Sequence, residues 1–320
     1  MILSAENLTR RYDDRVVVDD LSFSVTQGRA FGLLGPNGAG KTTTVRLLNG
    51  LIRPSSGTVT VFGETLTAHN AARLRERVGV QTDTELYGTL TARENLATWG
   101  EMYGVRGQRL RRRVDDILDI MHLSARADTL VGGFSKGMRQ KVAVGRALIH
   151  EPELLYLDEP TAGLDPEATA DLLSYLRSMI ARTNTTVIFC THQLHGLESL
   201  CEDVGVMVDG RMAASGAVDR LITDRWPHPT ARFRTDDAAR SQQILQRVPG
   251  VVSVSHDGEL RVTCDSNAAI AAGIAALVGA CIAVYSAEPE RRSIQDLYFA
   301  TVTGARAART PELTLGGASA

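Results

Sequence analysis

Between residues 1 and about 222, short apolar runs alternate with stretches of helical period, which predicts a sheet with crossover helices, an α/β architecture. The runs 31–34, 154–157 and 186–189 are apolar almost throughout, as parallel strands buried on both faces are, and each stops at residues able to carry chemistry. Segments 16–25 and 57–62 have the β-branched content of antiparallel material at a sheet edge. From 91 to 128 the period changes. Thr91 and Glu94 are spaced as a capping box that opens a helix, and the charged stretch through Arg113, Asp115 and Asp116 continues it. This predicts a helical subdomain at about 82–140, set into a first domain that spans 1–222.

Arg225, Trp226, Pro227, His228, Pro229 and Thr230 break any regular element and read as a linker. A second, small α+β domain is expected over 230–304. Its pattern gives strand 231–235, helix 237–247, strand 251–255, a turn at Asp257 and Gly258, strand 259–264, helix 267–279 and strand 281–287. The order β-α-β-β-α-β admits a ferredoxin-like sandwich. Residues 293–303 read as a closing helix, and the Ala-, Gly- and Thr-rich 305–320 as a disordered tail. Stretch 268–285 runs 18 residues without a charge, the lower limit for a membrane span. Ile270, Ile274, Leu277 and Val278 fall at helical spacing in it, so an amphipathic helix packed on one face, followed by a strand, is the better reading.

Composition narrows the class. With 43% hydrophobic and 22% charged residues the 320-residue chain can bury a sizeable core, enough for two unequal domains. The formal net charge of −2 offers no global field that would draw it to nucleic acid or an anionic membrane surface, so nucleic acid is not an expected partner. Arg109, Arg111, Arg112 and Arg113 read as a solvated helix face neutralised by Asp115, Asp116 and Asp119, not as a nucleic-acid patch. Cys190, Cys201, Cys264 and Cys281 have no metal-ligand spacing and fit a reducing cytoplasm. No basic segment followed by an apolar core opens the chain, so no secretory signal is expected.

The chemistry begins at Gly35, Pro36, Asn37, Gly38, Ala39, Gly40, Lys41 and Thr42, which follow the run 31–34 and precede a helical run that starts at Thr43. That is the strand–loop–helix context of a phosphate-binding loop. Glycines let backbone N–H groups turn inward around phosphate oxygens, and the helix N-terminus adds its positive end. Lys41 would reach the β- and γ-phosphates, and the Thr42 hydroxyl would ligate Mg²⁺. The run 154–157 ends in Asp158 and Glu159, two carboxylates at the edge where α/β sheets place ligands. Asp158 would hold Mg²⁺, and Glu159 would polarise the attacking water as general base. A second cradle follows from Ser135 and Gly137, which with Phe134, Lys136 and Met138 open another helical run. Two phosphate cradles in one chain suggest that the second serves the nucleotide of a neighbouring subunit in a head-to-tail dimer.

Taken in order along 1–222, these motifs resemble the ABC (ATP-binding cassette) ATPase family. Residues 134–138 stand where that family has its Leu-Ser-Gly-Gly-Gln signature, and their departures at Phe134, Lys136 and Met138 are similar to the variant of drug-efflux and ABC-2 type exporters. The resemblance implies a P-loop cassette with a mixed sheet, ATP and Mg²⁺ as ligands, and ATP hydrolysis between two cassettes, with a homodimer permitted. It implies that Tyr12 stacks on adenine, that Gln81 meets Mg²⁺ and the water, that Gly163, Leu164 and Asp165 form a dimer-contact loop, and that His192 touches the γ-phosphate. It further implies a separate multi-span membrane permease, met around 83–96, with the chain peripheral on the cytoplasmic face of the membrane. The ending from Glu288 to Glu290, then 294–299 and Thr303-Gly304, is similar to that of daunorubicin-resistance-type ATPases and favours export. A cassette acting on ribosomes or DNA is the alternative; it would carry paired cassettes, a long coiled coil or zinc modules. Neither Cys190 nor His195 is given a role.

Overall fold

The computed structural model describes residues 1–82, 85–194 and 196–307. Asp83, His195 and most of the expected tail lie outside the described residues. The chain divides into two compact units, Met1–Val218 with the chain from Tyr298 onward, and Asp219–Leu297.

In the first unit, β1 (Leu3–Tyr12), β2 (Arg15–Val25), β4 (Ser56–Val61) and β5 (Glu64–Thr65) form an antiparallel sheet ordered β2-β1-β4-β5. Between β2 and β4 run β3 (Ala30–Leu34) and α1 (Lys41–Leu48). A second sheet takes β3, β6 (Val78–Gln81), β7 (Leu154–Asp158), β8 (Thr186–Thr191), β9 (Asp203–Val208) and β10 (Arg211–Ala217) in the order β10-β9-β3-β8-β7-β6. Its members are parallel except for the edge strand β10. Every residue of β3, β7 and β8 is buried, as their unbroken apolar runs require. One core cluster joins the sheets, with Leu33, Val45 and Ile188 from the parallel layer packed with Leu8, Leu21 and Val61 of the antiparallel one.

The short α2 (Ala71–Arg75) precedes β6, and the helical subdomain follows it: α3 (Ala92–Met102), α4 (Gly107–Ile120) and α5 (Lys136–Leu148). The capping box forms as the sequence predicts, Thr91 accepting from the Glu94 N–H at 3.1 Å and the Glu94 carboxylate from the Thr91 N–H at 2.8 Å. The basic run on α4 departs from expectation. Arg109 pairs with Glu151 at 2.5 Å and Arg113 donates to the Leu148 carbonyl at 3.0 Å, while Asp115 is taken by Arg93 at 2.5 Å. Asp115 therefore turns to the first turn of α3, and Arg109 takes the carboxylate of Glu151, three residues beyond α5, because α4 and α5 pack together.

Where this subdomain meets β6, the His150 ring stacks on Tyr103 with centroids 3.8 Å apart, and its Nε2 lies 3.2 Å from the Val78 carbonyl. Burial holds the imidazole pKa down at about 4, against an ordinary 6.5, over the opposing pull of the Val78 hydrogen bond. The folded chain thus keeps His150 neutral where the unfolded chain is already protonated. Stability due to this site is complete above pH 6.5 and is lost as pH falls toward about 4, by of order 3 kcal/mol over the window. Urea unfolding of His150→Gln at stepped pH should show a flatter acid limb than the parent chain; parallel limbs would exclude His150 as its source.

After α6 (Pro166–Thr183), and the strands β8 to β10 already placed, α7 (Val218–Arg225) occupies the start of the expected linker, leaving 226–229 irregular. The second unit then runs β11 (Thr230–Thr235), α8 (Ala238–Leu245), β12 (Val251–Asp257), β13 (Glu259–Cys264), α9 (Asn267–Gly279) and β14 (Val284–Pro289), with α10 (Ile294–Ala307) beginning at its end. Its sheet is antiparallel in the order β12-β13-β11-β14, the strand order of a ferredoxin-like sandwich. Phe233, Leu260, Val262, Ile270 and Leu277 form its core. Val278, expected on the packed face of α9, is 59% exposed, so the apolar stripe is narrower than its spacing implied. β14 starts three residues later than predicted, because Cys281 adopts a left-handed turn at φ 59 after the helix. Among the described residues no helix is long and apolar enough to cross a membrane.

Candidate active site

The loop between β3 and α1 is built on backbone conformations that few residues tolerate. Gly40 has φ 101, and a Cβ there would stand 2.7 Å from the Val17 carbonyl oxygen, so only glycine lets the loop lie against β2 and still open α1. The Lys41 ammonium folds back on the loop, donating to the Gly35 carbonyl at 2.6 Å and the Pro36 carbonyl at 3.3 Å. It stands 3.9 Å from Glu159 Oε1.

Parallel pairing of β7 beside β8 brings the carboxylates of Asp158 and Glu159 to this loop. The Thr42 hydroxyl donates to Asp158 Oδ2 at 2.6 Å. Burial pushes the Asp158 carboxyl pKa up and the neighbouring Glu159 charge adds to it, against the lowering effect of the Thr42 hydrogen bond. Glu159 sits at φ 49, a left-handed backbone that ends β7 at once and turns the side chain toward β8. There the carboxylate meets three groups: Thr191 Oγ1 at 2.8 Å, the His192 N–H at 3.0 Å and His192 Nδ1 at 2.7 Å. The Gln140 side chain, from α5, donates to the Glu159 carbonyl at 3.1 Å.

An open cavity of about 510 Å³ lies over these groups, lined by residues 37–43, Asp158, Glu159, Thr82, Arg15 and Val17. Sequence reasoning missed Arg15, Val17 and Thr82. No local signal marks the first two; they arrive because the start of β2 lies over the loop. Tyr12, expected against the base, does not line this cavity, and its ring carries the Arg10 guanidinium at 4.4 Å. Gln81 ends β6 beside Leu157, is 1% exposed, and its Oε1 finds no partner among the described residues. Cys190 is fully buried with its thiol pKa pushed well up, consistent with packing alone.

Residues 135–138 take no part in the cavity. Ser135 caps α5, its hydroxyl accepting from the Met138 N–H at 3.2 Å. Gly137 lies so close to the Gly163 carbonyl that a Cβ would stand 2.6 Å from it, which locks this terminus to the loop ahead of α6. Asp165 caps α6 through the Ala168 N–H at 2.8 Å, a bond that lowers its carboxyl pKa. Of the expected residues, the structure thus brings 35–43, Asp158, Glu159 and His192 together. It keeps Ser135, Gly137 and Met138 with Gly163 as a separate cluster.

A glycine-built loop opening a helix, an ammonium and a hydroxyl–carboxylate pair around one open cavity suit a single kind of substrate, a polyphosphate whose terminal group is transferred, and so the fold and site define a P-loop nucleoside triphosphatase. A family model described as ABC transporter matches residues 18–162. Nod factor export ATP-binding protein I of Ralstonia nicotianae is 44% identical over 245 residues, 76% of each chain. The linearmycin resistance ATP-binding protein LnrL of Bacillus subtilis is 39% identical over 223 residues, 69% of this chain and 71% of its own. A solved ATP-binding subunit of an ABC transporter superposes with TM-score 0.65 at 32% identity, covering 70% of this chain and 93% of that one. The chain belongs to the ABC transporter family, as an ATP-binding subunit that hydrolyses ATP.

Proposed function

We propose that two copies of this chain close head to tail around two ATP molecules, each loop 35–42 facing residues 135–138 of the other copy, and that closure and reopening drive export through a separate multi-span membrane permease. The observation that carries the reading is the separation of the two phosphate-suited helix termini. The cavity over α1 contains nothing from 135–138, so the α5 terminus has no phosphate to meet in its own subunit. The names of the relatives, one an export protein and one a resistance protein, support the direction. A chain with no spanning helix among its described residues would work from the cytoplasmic face as a peripheral subunit.

Within the site, Glu159 takes the proton of the attacking water as the water oxygen bonds to the γ-phosphorus and ADP leaves; His192 orients that carboxylate through the 2.7 Å contact and steadies the transferred group. Lys41 neutralises charge gathering on the phosphate oxygens. The donor set fits Mg²⁺: one hydroxyl and one carboxylate 2.6 Å apart, with the unpartnered Gln81 oxygen at the end of β6, paired beside Leu157 of β7, is what an ion that keeps water and takes phosphate oxygens requires. Thr42 and Asp158 would hold the cation, which would supply positive charge against the phosphates, and a negative Asp158, otherwise disfavoured by burial, would gain its counter-ion. Arg10 covers one face of the Tyr12 ring, so adenine would stack on the other.

Affinity capture from detergent-solubilised membranes, with Glu159→Gln as bait and MgATP present, tests the assembly. A multi-span membrane protein should be recovered with the bait. Ribosomal or DNA-bound proteins in its place, with no membrane protein, would reassign the mechanical use of ATP.

A further inference from the structure

A cavity of about 700 Å³, larger than the one over the nucleotide loop and sharing no residue with it, opens at the far end of α1. Leu47 reaches it from the last turn of α1, Ile52 from the chain that follows, Val59 from β4 and Leu66 from the chain after β5, so its apolar lining is the rim of the main core. The lining segment 65–71 is held in shape by Asn70. Its Oδ1 accepts from the Thr67 N–H at 2.8 Å and the Thr67 hydroxyl at 3.1 Å, while its amide donates to the Thr65 carbonyl at 2.9 Å. The chain leaving α1 passes close against that segment at Gly50, where φ is 64 and a Cβ would stand 3.2 Å from that of Ala71. The concavity is therefore formed before any ligand arrives.

Besides this apolar surface the cavity presents basic groups and no acid. Arg53, Arg75 and His69 line it, no Asp or Glu does, and neither arginine has a carboxylate within ion-pair distance among the described residues. Glu64, which adjoins the lining segment, is taken by Arg73 at 2.5 Å. Arg75 donates through Nη1 alone, to the carbonyls of Asn49 and Gly50 at 3.4 and 3.3 Å, which offsets the negative end of the α1 dipole and leaves Nε and Nη2 for a further acceptor. Unpaired guanidinia call for a carboxylate or phosphate, and an aliphatic wall in a preformed cavity of ligand size calls for an apolar body. The net charge of −2 draws the chain to no anionic bilayer, so a free molecule is the better occupant. We propose that this cavity binds a free amphiphilic anion, its head held by Arg53 and Arg75 and its aliphatic body laid on Leu47, Ile52, Val59 and Leu66. The site is independent of the transporter reading.

The test is calorimetric titration of the full chain with decyl phosphate below its micelle concentration, with MgADP present in saturating amount to fill the nucleotide loop. Saturable binding at one site per chain is expected, and Arg53→Gln and Arg75→Gln should each weaken it by about ten-fold or more, the worth of a charged hydrogen bond. Decanol and inorganic phosphate, each lacking half of the ligand, should bind far more weakly than decyl phosphate. Arg53 is exposed and its side chain holds no other element, so Arg53→Gln should keep the parent's thermal midpoint and ATP turnover and carries the test if Arg75→Gln folds poorly. Unchanged affinity in a folded Arg53→Gln chain would overturn the proposal, as would decanol binding as tightly as decyl phosphate, which marks a mere apolar crevice. Displacement of the probe by MgADP would put it in the nucleotide loop and equally refute the second site. Binding to phosphatidylglycerol vesicles with none to the monomeric probe would overturn the free ligand in favour of a bilayer surface.

Discussion

Glu159→Gln is expected to reduce ATP hydrolysis by at least about 100-fold, the usual worth of a positioned general base, while leaving MgATP binding nearly intact. The change is almost isosteric, and the site can accept it without rearrangement. The retained amide oxygen can accept from the His192 N–H, now 3.0 Å from the carboxylate, and the new NH₂ can donate to Thr191 Oγ1, now at 2.8 Å, because a hydroxyl serves in either role. What disappears is basicity. Lys41, 3.9 Å away, loses its anionic neighbour but keeps both carbonyl partners, so the phosphate cradle stays formed. Phosphate release under steady-state conditions, set beside calorimetric titration with MgATP, separates the two effects. Turnover within about ten-fold of the parent would place the base elsewhere, since a barrier change near 1.4 kcal/mol is too small for loss of that role. Loss of binding in step with turnover would show that Glu159 shapes the cradle and does not act on the water.

The parts of this site that were legible in the sequence are those where chemistry and chain geometry coincide locally. The loop 35–42 declares itself because consecutive backbone amides can turn inward only where glycine permits it, and β7 because a strand buried on both faces must be apolar until it ends. Thr91 and Glu94 form their capping box because both partners lie within one turn. What escaped was set by distance along the chain. Glu151 reaches Arg109 across 42 positions, Arg15 and Val17 come over the loop only through the pairing of the antiparallel sheet, and nothing near Tyr12 announced that Arg10 would lie on its ring. Gln81 and His192 could be named only by resemblance, as a single amide or imidazole at a strand end is ordinary packing in most folds. The ferredoxin-like order of the small unit was readable from turn signals, whereas the late start of β14 depended on a left-handed cysteine that residue type does not foretell.

Asp158→Asn should make the nucleotide-free chain more resistant to heat at neutral and alkaline pH while lowering turnover by about two orders of magnitude or more, the scale of losing a metal-holding charge worth several kcal/mol. Burial raises the Asp158 carboxyl pKa above its unfolded value, so the folded state holds its proton more tightly than the unfolded chain does. Stability due to that preference is present at low pH and is lost as pH rises through the folded pKa; above it, the ionised carboxylate is a cost to the fold. Asparagine removes the charge and keeps an oxygen to accept from Thr42, so the cost disappears and the 2.6 Å contact can persist as a neutral hydrogen bond. The gain in melting temperature over the parent should therefore be largest in alkaline buffer and shrink as pH is lowered through the raised pKa. MgATP should reverse the ranking. A ligand that binds only the folded state stabilises it according to its affinity, and the parent, with its carboxylate available to the cation, should gain more than the variant. If the variant melts below the parent without nucleotide at pH 8, Asp158 is held by favourable interactions and not merely tolerated for its chemistry. If MgATP stabilises both equally, the cation is held by other residues, and Thr42 and Asp158 form a structural pair.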